Sequence, residues 1–315
     1  MINFITNGDM IIFNPMFNNK INSNLSFNCK KIIFSVFELD DILFDTHENN
    51  NFKDLKYIGS KFNQPLSNSL DNLINLTHLF FGTDFNQPLS NSLDNLINLT
   101  YLTFGHWFNQ PLSNSLNHLK NLTHLTFGWE FNQPLSISLD NLINLTNLTF
   151  NCWFNQPLLN SLNNLKNLTH LTFGEYFNQP LTNVLNILTN LTHLTLNLNF
   201  DKKLDLPLNI KSLKLNCNNL YIIDNLPDNI EELELDYGFN LELNNLPISI
   251  KKIIFYKYSY YDKPLNNLPF GVKLLKLPEK YNLKIANIPC NLDTIFCSIK
   301  YEFINDFNNL QIETY

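Results

Sequence analysis

Arginine is absent. All 21 basic residues are lysine, set against 28 acidic residues for a formal net charge of −7. The arginine fork is the group that reads phosphates and guanine edges through paired hydrogen bonds, so nucleic acid is not an expected partner. Charge of either sign is sparse, at 16% of residues, while 44% are hydrophobic, enough for a continuous core. Alanine occurs once, at Ala286, whereas Asn, Ile, Lys, Phe and Tyr are frequent, the bias of an AT-rich coding sequence. No apolar run reaches the roughly 18 residues that a membrane helix requires. Residues 1–16 lack a basic start, an apolar stretch and a small-residue cleavage site. Five cysteines, an odd number without CxxC spacing, argue against a disulfide scaffold and for a reducing compartment. Only eight glycines are present, and no phosphate-cradling, nucleophile-elbow or HExxH motif is found. No enzyme activity, cofactor, metal or membrane partner is therefore expected, and a cytoplasmic location is.

Repetition is what the chain has in plenty. Phe-Asn-Gln-Pro-Leu begins at Phe62, Phe85, Phe108, Phe131, Phe154 and Phe177, each step being 23 residues. A seventh step reaches Phe200, where the string reads FDKKL. Degenerate copies lie upstream at Phe17 (FNNKI) and Leu39 (LDDIL). Others lie downstream at Asn219, Phe239, Tyr261 and Tyr281, now 20 to 22 residues apart. The whole chain, 1–315, reads as one array. An N-terminal cap spans 1–16, degenerate repeats 17–61, regular repeats 62–204, shorter Leu-Pro repeats 205–297 and a C-terminal cap 298–315.

Within a unit, LTHLFFG (76–82) and LTHLTFG (122–128, 168–174) alternate apolar and polar residues as a short half-buried strand does. The last position holds Gly82, Gly105, Gly128 and Gly174, exchanged for Asn151, Asn197, Asn216 and Asp236. These residue types tolerate a left-handed backbone, which predicts a positive φ where the strand ends. The string then re-enters the core through Phe and Leu, with its Asn free to bond neighbouring turns. Leu70, Leu73 and Leu76 are spaced for 3₁₀ or a short helix. From Pro207 onward the return is expected to be extended. Such units bury their apolar stripe only by stacking. The fold class is α/β: a solenoid with one short parallel strand per 20–23 residues.

The stretch 210–220 (IKSLKLNCNNL) matches the leucine-rich-repeat pattern LxxLxLxxNxL, and the FNQPL strings resemble the FNIP repeat family of social amoebae and large amoeba-infecting viruses. The Leu-Pro units also resemble repeat arrays of some bacterial ubiquitin-ligase effectors. The resemblance implies a repeat-based protein-interaction module of the leucine-rich-repeat type, located in the host cytoplasm if the chain is viral. Relatives with an F-box or kinase domain exist, but no such segment is visible here, which disfavours a ubiquitination adaptor. A self-associating structural or coat protein is the other alternative, and a monomer is expected.

The outward strand positions form the expected binding face: His78, Tyr101, His124, Asn147, His170 and His193 in one row, Phe80, Thr103, Thr126, Thr149, Thr172 and Thr195 in the next. His170 and His193 stand on adjacent strands, but no carboxylate or cysteine lies in line with them, so a ladder rather than a metal site is expected. The later strands carry Lys214, Glu232, Glu234 and Lys252 in positions that predict cross-strand ion pairs. Trp107, Trp129 and Trp153 follow the strand-end turn, where units differ most. Trp129 is the expected surface residue, while Trp107 and Trp153 fit either surface or core. A protein partner is expected to bind at Tyr101, His124, Trp129, Asn147 and His170.

Overall fold

The computed structural model describes residues 3–21, 28–34 and 59–315, so the degenerate string at Leu39 falls outside it. The described chain forms two compact units, 1–168 and 169–315.

In the first unit, β1 (Phe4–Asn7) and β2 (Met10–Phe13) make an antiparallel hairpin, with Gly8 left-handed in its turn (φ 61°). Parallel strands β3 (Lys31–Phe34), β4 (His78–Phe80), β5 (Tyr101–Thr103), β6 (His124–Thr126) and β7 (Asn147–Thr149) follow. Between β4 and β7 the register advances by one repeat per strand, His78 facing Tyr101, Tyr101 facing His124 and His124 facing Asn147. The second unit continues the pattern with β8 (His170–Thr172), β9 (His193–Leu196), β10 (Ser212–Leu215), β11 (Glu232–Leu235), β12 (Lys252–Phe255), β13 (Leu274–Lys276), β14 (Thr294–Cys297) and β15 (Gln311–Thr314), all parallel.

Two phenylalanines per repeat build the core of the first unit. Phe62, Phe85, Phe108, Phe131 and Phe154 stack with ring centroids 5.8–6.1 Å apart. Beside them run Phe81, Phe104, Phe127 and Phe150, and the two columns meet at about 4 Å within each coil. All of these are buried, as are the leucines at three-residue spacing, and each buried ring contributes roughly 1.5–3 kcal/mol. In the second unit the ring column passes from Phe239 to Tyr261, Tyr281 and Tyr301.

The string's asparagine forms the expected ladder. The Oδ1 of Asn63, Asn86, Asn109 and Asn132 each accepts from the backbone N–H of the next unit's asparagine at 2.9–3.0 Å. Each also accepts from the next unit's glutamine Nε2 at a similar distance. A second ladder uses Asn98, Asn121, Asn144 and Asn167, whose Nδ2 donates to a carbonyl of the preceding coil at 2.8–2.9 Å. The return segments are successive i→i+3 turns, as at Leu70–Leu73–Leu76, with little true helix. Later units turn at the proline, whose carbonyl accepts from the residue three on (Pro207 from Ile210, Pro247 from Ile250).

The expected left-handed residue at the strand end is corrected by the structure. Gly82, Gly105, Gly128 and Gly174 have ordinary φ, as do Asn151, Asn197, Asn216 and Asp236. Glycine is required for another reason: a Cβ on Gly105 would collide with the Gly82 carbonyl oxygen, and one on Gly128 with that of Gly105. Asparagine takes the place where its Nδ2 donates back to the previous coil, Asn151 to the Phe127 carbonyl at 2.7 Å and Asn197 to that of Phe173 at 2.9 Å. The left-handed residues lie just after the FNQPL string instead, at Ser67, Ser90, Ser113 and Ser136 (φ 43–46°). Where leucine or threonine follows the string, at Leu159 and Thr182, the left-handed turn moves one residue on to Asn160 and Asn183.

Candidate partner-binding surface

On the strand face of the first unit, His78, Tyr101 and His124 form a stack of three rings. His78 and Tyr101 lie 4.4 Å apart with planes 9° from parallel, and Tyr101 and His124 lie 4.1 Å apart at 17°. All three are part-exposed, as is Asn147 on the next strand. The preceding threonines hold this row. Thr100 Oγ1 donates to the Thr77 carbonyl at 2.9 Å, and Thr123 Oγ1 to that of Thr100 at 3.0 Å. Thr77 Oγ1 donates to the Lys30 carbonyl at 3.1 Å. The same hydroxyls of Thr77 and Thr123 lie 2.8 Å from His78 Nδ1 and 2.9 Å from His124 Nδ1, which fixes the orientation of both rings. Both imidazoles titrate below the usual histidine range, first because burial penalises their charge; Lys31 and His124 push His78 further the same way. Neutral rings that stack without mutual repulsion are the result.

In the second unit His170 and His193 stack at 4.0 Å and 11°, both exposed. They border a hollow of about 140 Å³ with Thr195, Ser212, Lys214 and Glu234. Parallel rings aim their nitrogens side by side, which suits stacking rather than convergence on one ion. The charged strands pair as their spacing predicts, Lys214 with Glu234 at 3.6 Å and Asp236 at 3.2 Å, and Lys252 with Glu232 at 3.0 Å.

The tryptophans lie on the rim beyond the strand end. Trp107, Trp129 and Trp153 are 50%, 47% and 44% exposed, so all three are surface residues, the two with an open assignment included. Trp129 does not join the row of Tyr101 and His124; its ring stacks on His106 at 5.5 Å, and His106 meets Trp107 edge-on at 4.6 Å. Of the expected binding residues, the structure thus brings Tyr101, His124 and Asn147 together on one face. It sets Trp129 on the rim and His170 in the second unit.

A further cluster was not legible from the repeat. Lys257 Nζ lies 4.9 Å from the Tyr315 ring, and Lys276 Nζ lies 5.7 Å from that ring and 5.8 Å from Phe296. With Tyr256, Asp236, Lys214 and Glu234 these lysines edge a hollow of about 250 Å³. Only the local run FYKYSYYDK (255–263) marks it in the sequence.

Residues 200–238 and 218–258 match the FNIP Repeat family model. No curated protein matches the sequence. Among solved structures, CroV588, a giant-virus protein described as having a novel circular LRR structure, superposes with a TM-score of 0.61 at 24% identity, over 94% of this chain and 51% of that one. An internalin, InlF, from Listeria monocytogenes superposes with a TM-score of 0.58 at 16% identity, over 96% of this chain and 86% of that one. The chain spans about half the length of CroV588. These likenesses are likenesses of fold.

Proposed function

Because this chain carries FNIP repeats on a leucine-rich-repeat-type fold, we propose that it is a non-enzymatic module that binds a protein partner through its strand-lined face. The observation that carries this reading is the stack of His78, Tyr101 and His124. Its rings are part-exposed, yet the two histidines are already held by threonine contacts and Tyr101 is stacked between them, so a partner that packs on them orders little that is not ordered already. Aromatic anchors of this kind dominate interface energies. Asn147 extends the face along the same register, and His170 with His193 offers an equivalent platform in the second unit. Trp129 contributes from the rim. A monomer in the cytoplasm is the proposed state; five cysteines, odd in number and without CxxC spacing, support a reducing compartment.

The test is quantitative affinity capture from native or infected cells with wild-type chain and a Tyr101→Ala/His124→Ala variant. The variant should keep its melting temperature within a few degrees and lose most of one dominant heterologous partner. Equal recovery by both chains would remove the strand face from consideration. A wild-type chain that recovers chiefly itself, as filaments, would replace this reading with a structural one.

A further inference from the structure

Charge is not spread evenly along the chain. Residues 251–300 hold nine lysines and three carboxylates, a net charge of +6 that leaves −13 for the rest. A basic band on an otherwise acidic chain steers an acidic group toward it. Four of these lysines are answered by carboxylates: Lys251 by Glu231, Lys252 by Glu232, Lys263 by Asp262 and Lys284 by Asp306. The other five, Lys257, Lys273, Lys276, Lys280 and Lys300, have no carboxylate within ion-pair reach among the described residues. Four of those five gather around Tyr315 in the second unit. Lys257 and Lys276 lie against its ring, and Lys280 and Lys300 share with it an open hollow of about 540 Å³.

Tyr315 is the hub of this cluster. Its hydroxyl donates to the Leu277 carbonyl at 2.8 Å and its N–H to that of Cys297 at 3.3 Å, which fixes the ring. A ring face attracts an ammonium without giving its N–H donors an oxygen. Lys257 and Lys276 are thus held in place with donors that an incoming carboxylate can take, at little further cost in side-chain order. Both line the hollow of about 250 Å³, and the two carboxylates on that hollow, Glu234 and Asp236, are already taken by Lys214. Glu279 is the one acidic side chain lining the second hollow, against Lys280 and Lys300. Lys257 follows β12, Lys276 and Lys280 belong to the β13 coil and Lys300 follows β14, so the free charges span three coils and suit a run of carboxylates rather than one anion. A nucleic-acid strand fits less well. Its successive bases need parallel ring faces, and the exposed rings here meet edge-on, Tyr256 and Tyr258 at 78° and Tyr237 and Tyr260 at 76°. A lipid surface is flat and meets protruding groups, whereas Lys257 and Lys276 are part-buried at a hollow that peptide side chains can enter.

We propose that the surface around Tyr315 docks an acidic segment of a partner protein, a run of aspartate and glutamate whose carboxylates pair with Lys257 and Lys276 in one hollow and with Lys280 and Lys300 in the next. The proposal rests on the reading of this chain as a protein-binding module and adds a second contact to it. It makes no use of His78, Tyr101 or His124, so different variants test the two surfaces.

The full chain is titrated into a fluorescein-labelled peptide of Asp-Glu repeats, and binding is read by anisotropy. Unlabelled Asp-Glu repeats, Asn-Gln repeats, an oligothymidine strand and vesicles containing phosphatidylserine then compete for the site. The wild-type chain should bind the labelled peptide saturably, and less tightly as salt rises. Unlabelled Asp-Glu repeats should compete at least about tenfold better than each of the other three. Lys257→Gln/Lys276→Gln should weaken binding about tenfold. Lys120→Gln/Lys273→Gln removes the same charge elsewhere and should change it by less than about twofold. Tyr315→Leu should weaken it about threefold and Tyr315→Phe should not, while Tyr101→Ala should have no effect. Equal losses in the two double-lysine variants would reduce the site to net charge and overturn the proposal. So would better competition by the oligothymidine or the vesicles, absence of peptide binding, or full affinity in folded Lys257→Gln/Lys276→Gln or Tyr315→Leu protein. Should the Tyr315 variants unfold, the lysine variants and the competition series on the wild-type chain still decide.

Discussion

A methyl group at Gly128 has nowhere to go, because the Gly105 carbonyl oxygen already fills its place. The same holds at Gly105 above Gly82, so this column is glycine for closeness of approach and not for backbone handedness. The distinction has measurable consequences. Gly128→Ala should cost about 1–3 kcal/mol, since two coils must part to admit it. Ser113, by contrast, is held at φ 45°. There Ser113→Gly should be neutral or stabilising by up to about 1 kcal/mol, and Ser113→Val should destabilise by about 1–3 kcal/mol. Thermal melts of the three variants separate the two causes: an unchanged melting temperature for Gly128→Ala would refute close approach, and a tolerated Ser113→Val would refute the left-handed turn. Sequence reasoning recognised that one column required special residues. It placed the positive φ there because glycine, asparagine and aspartate share that tolerance, whereas the serine that does turn left-handed bears no such mark.

Among the elements, the asparagine ladder ties each coil to the next at a point where proline leaves the chain without an amide to give. Asn109 Oδ1 accepts both the Asn132 N–H and Gln133 Nε2 at 3.0 Å. Asn109→Ala strands both part-buried donors and should cost about 1–3 kcal/mol. Asn109→Asp retains the acceptor and should cost clearly less. Equal melting temperatures for these two variants would show that the ladder contributes shape rather than hydrogen bonding. This ladder was legible, because an asparagine repeated at one register must meet the same backbone groups in every unit. The stack of His106 on Trp129 was not: the two residues occupy one column of otherwise unlike side chains, and only the folded rim shows which rings touch.

For the molecule as a whole, the strand positions, the parallel pairing and the core columns could be read from the 23-residue spacing, since each copy must solve the same packing problem. The side on which Trp107 and Trp153 lie could not, because two adjacent positions after a turn differ by a rotation that spacing does not encode. The two units also differ in chemistry in a way that pH should expose. Burial raises the phenols of Tyr261 and Tyr301 well above their usual range and pushes Tyr281 and Tyr315 up to about 12, all four in the second unit. An unfolded tyrosine titrates near about 10. A group with its folded pKa raised contributes its full stability below the unfolded value and loses it as pH climbs through the folded one. Stability of the second unit should therefore hold to about pH 10 and fall between about 10 and 12. Phenolate absorbance should rise late and cooperatively there, while tryptophan emission, which comes from the first unit alone, keeps its native wavelength. Ordinary titration of every phenol near pH 10, without loss of circular dichroism, would contradict this. A Tyr281→Phe/Tyr301→Phe variant forgoes the hydroxyl bonds to the Lys263 and Leu283 carbonyls. It should be less stable at neutral pH yet flatter in its alkaline response.

The near-identity of the coils that begin at Phe62, Phe85 and Phe108 carries a kinetic consequence. Each presents the same phenylalanine pair, the same asparagine acceptor and the same strand, so a coil that has folded cannot tell its proper successor from the one after it. Skipping a coil leaves 23 residues looped out, every remaining ladder satisfied, and an entropic cost that grows only slowly with loop length. What penalises the slip is first the core that the looped-out coil forfeits, roughly 1.5–3 kcal/mol for each ring left unburied, and then the surface order of His78, Tyr101, His124 and Asn147 on one face. The residues that distinguish one copy from another are thus the chain's record of its own count, and erasing them in favour of a perfect consensus would lengthen the search for the correct register.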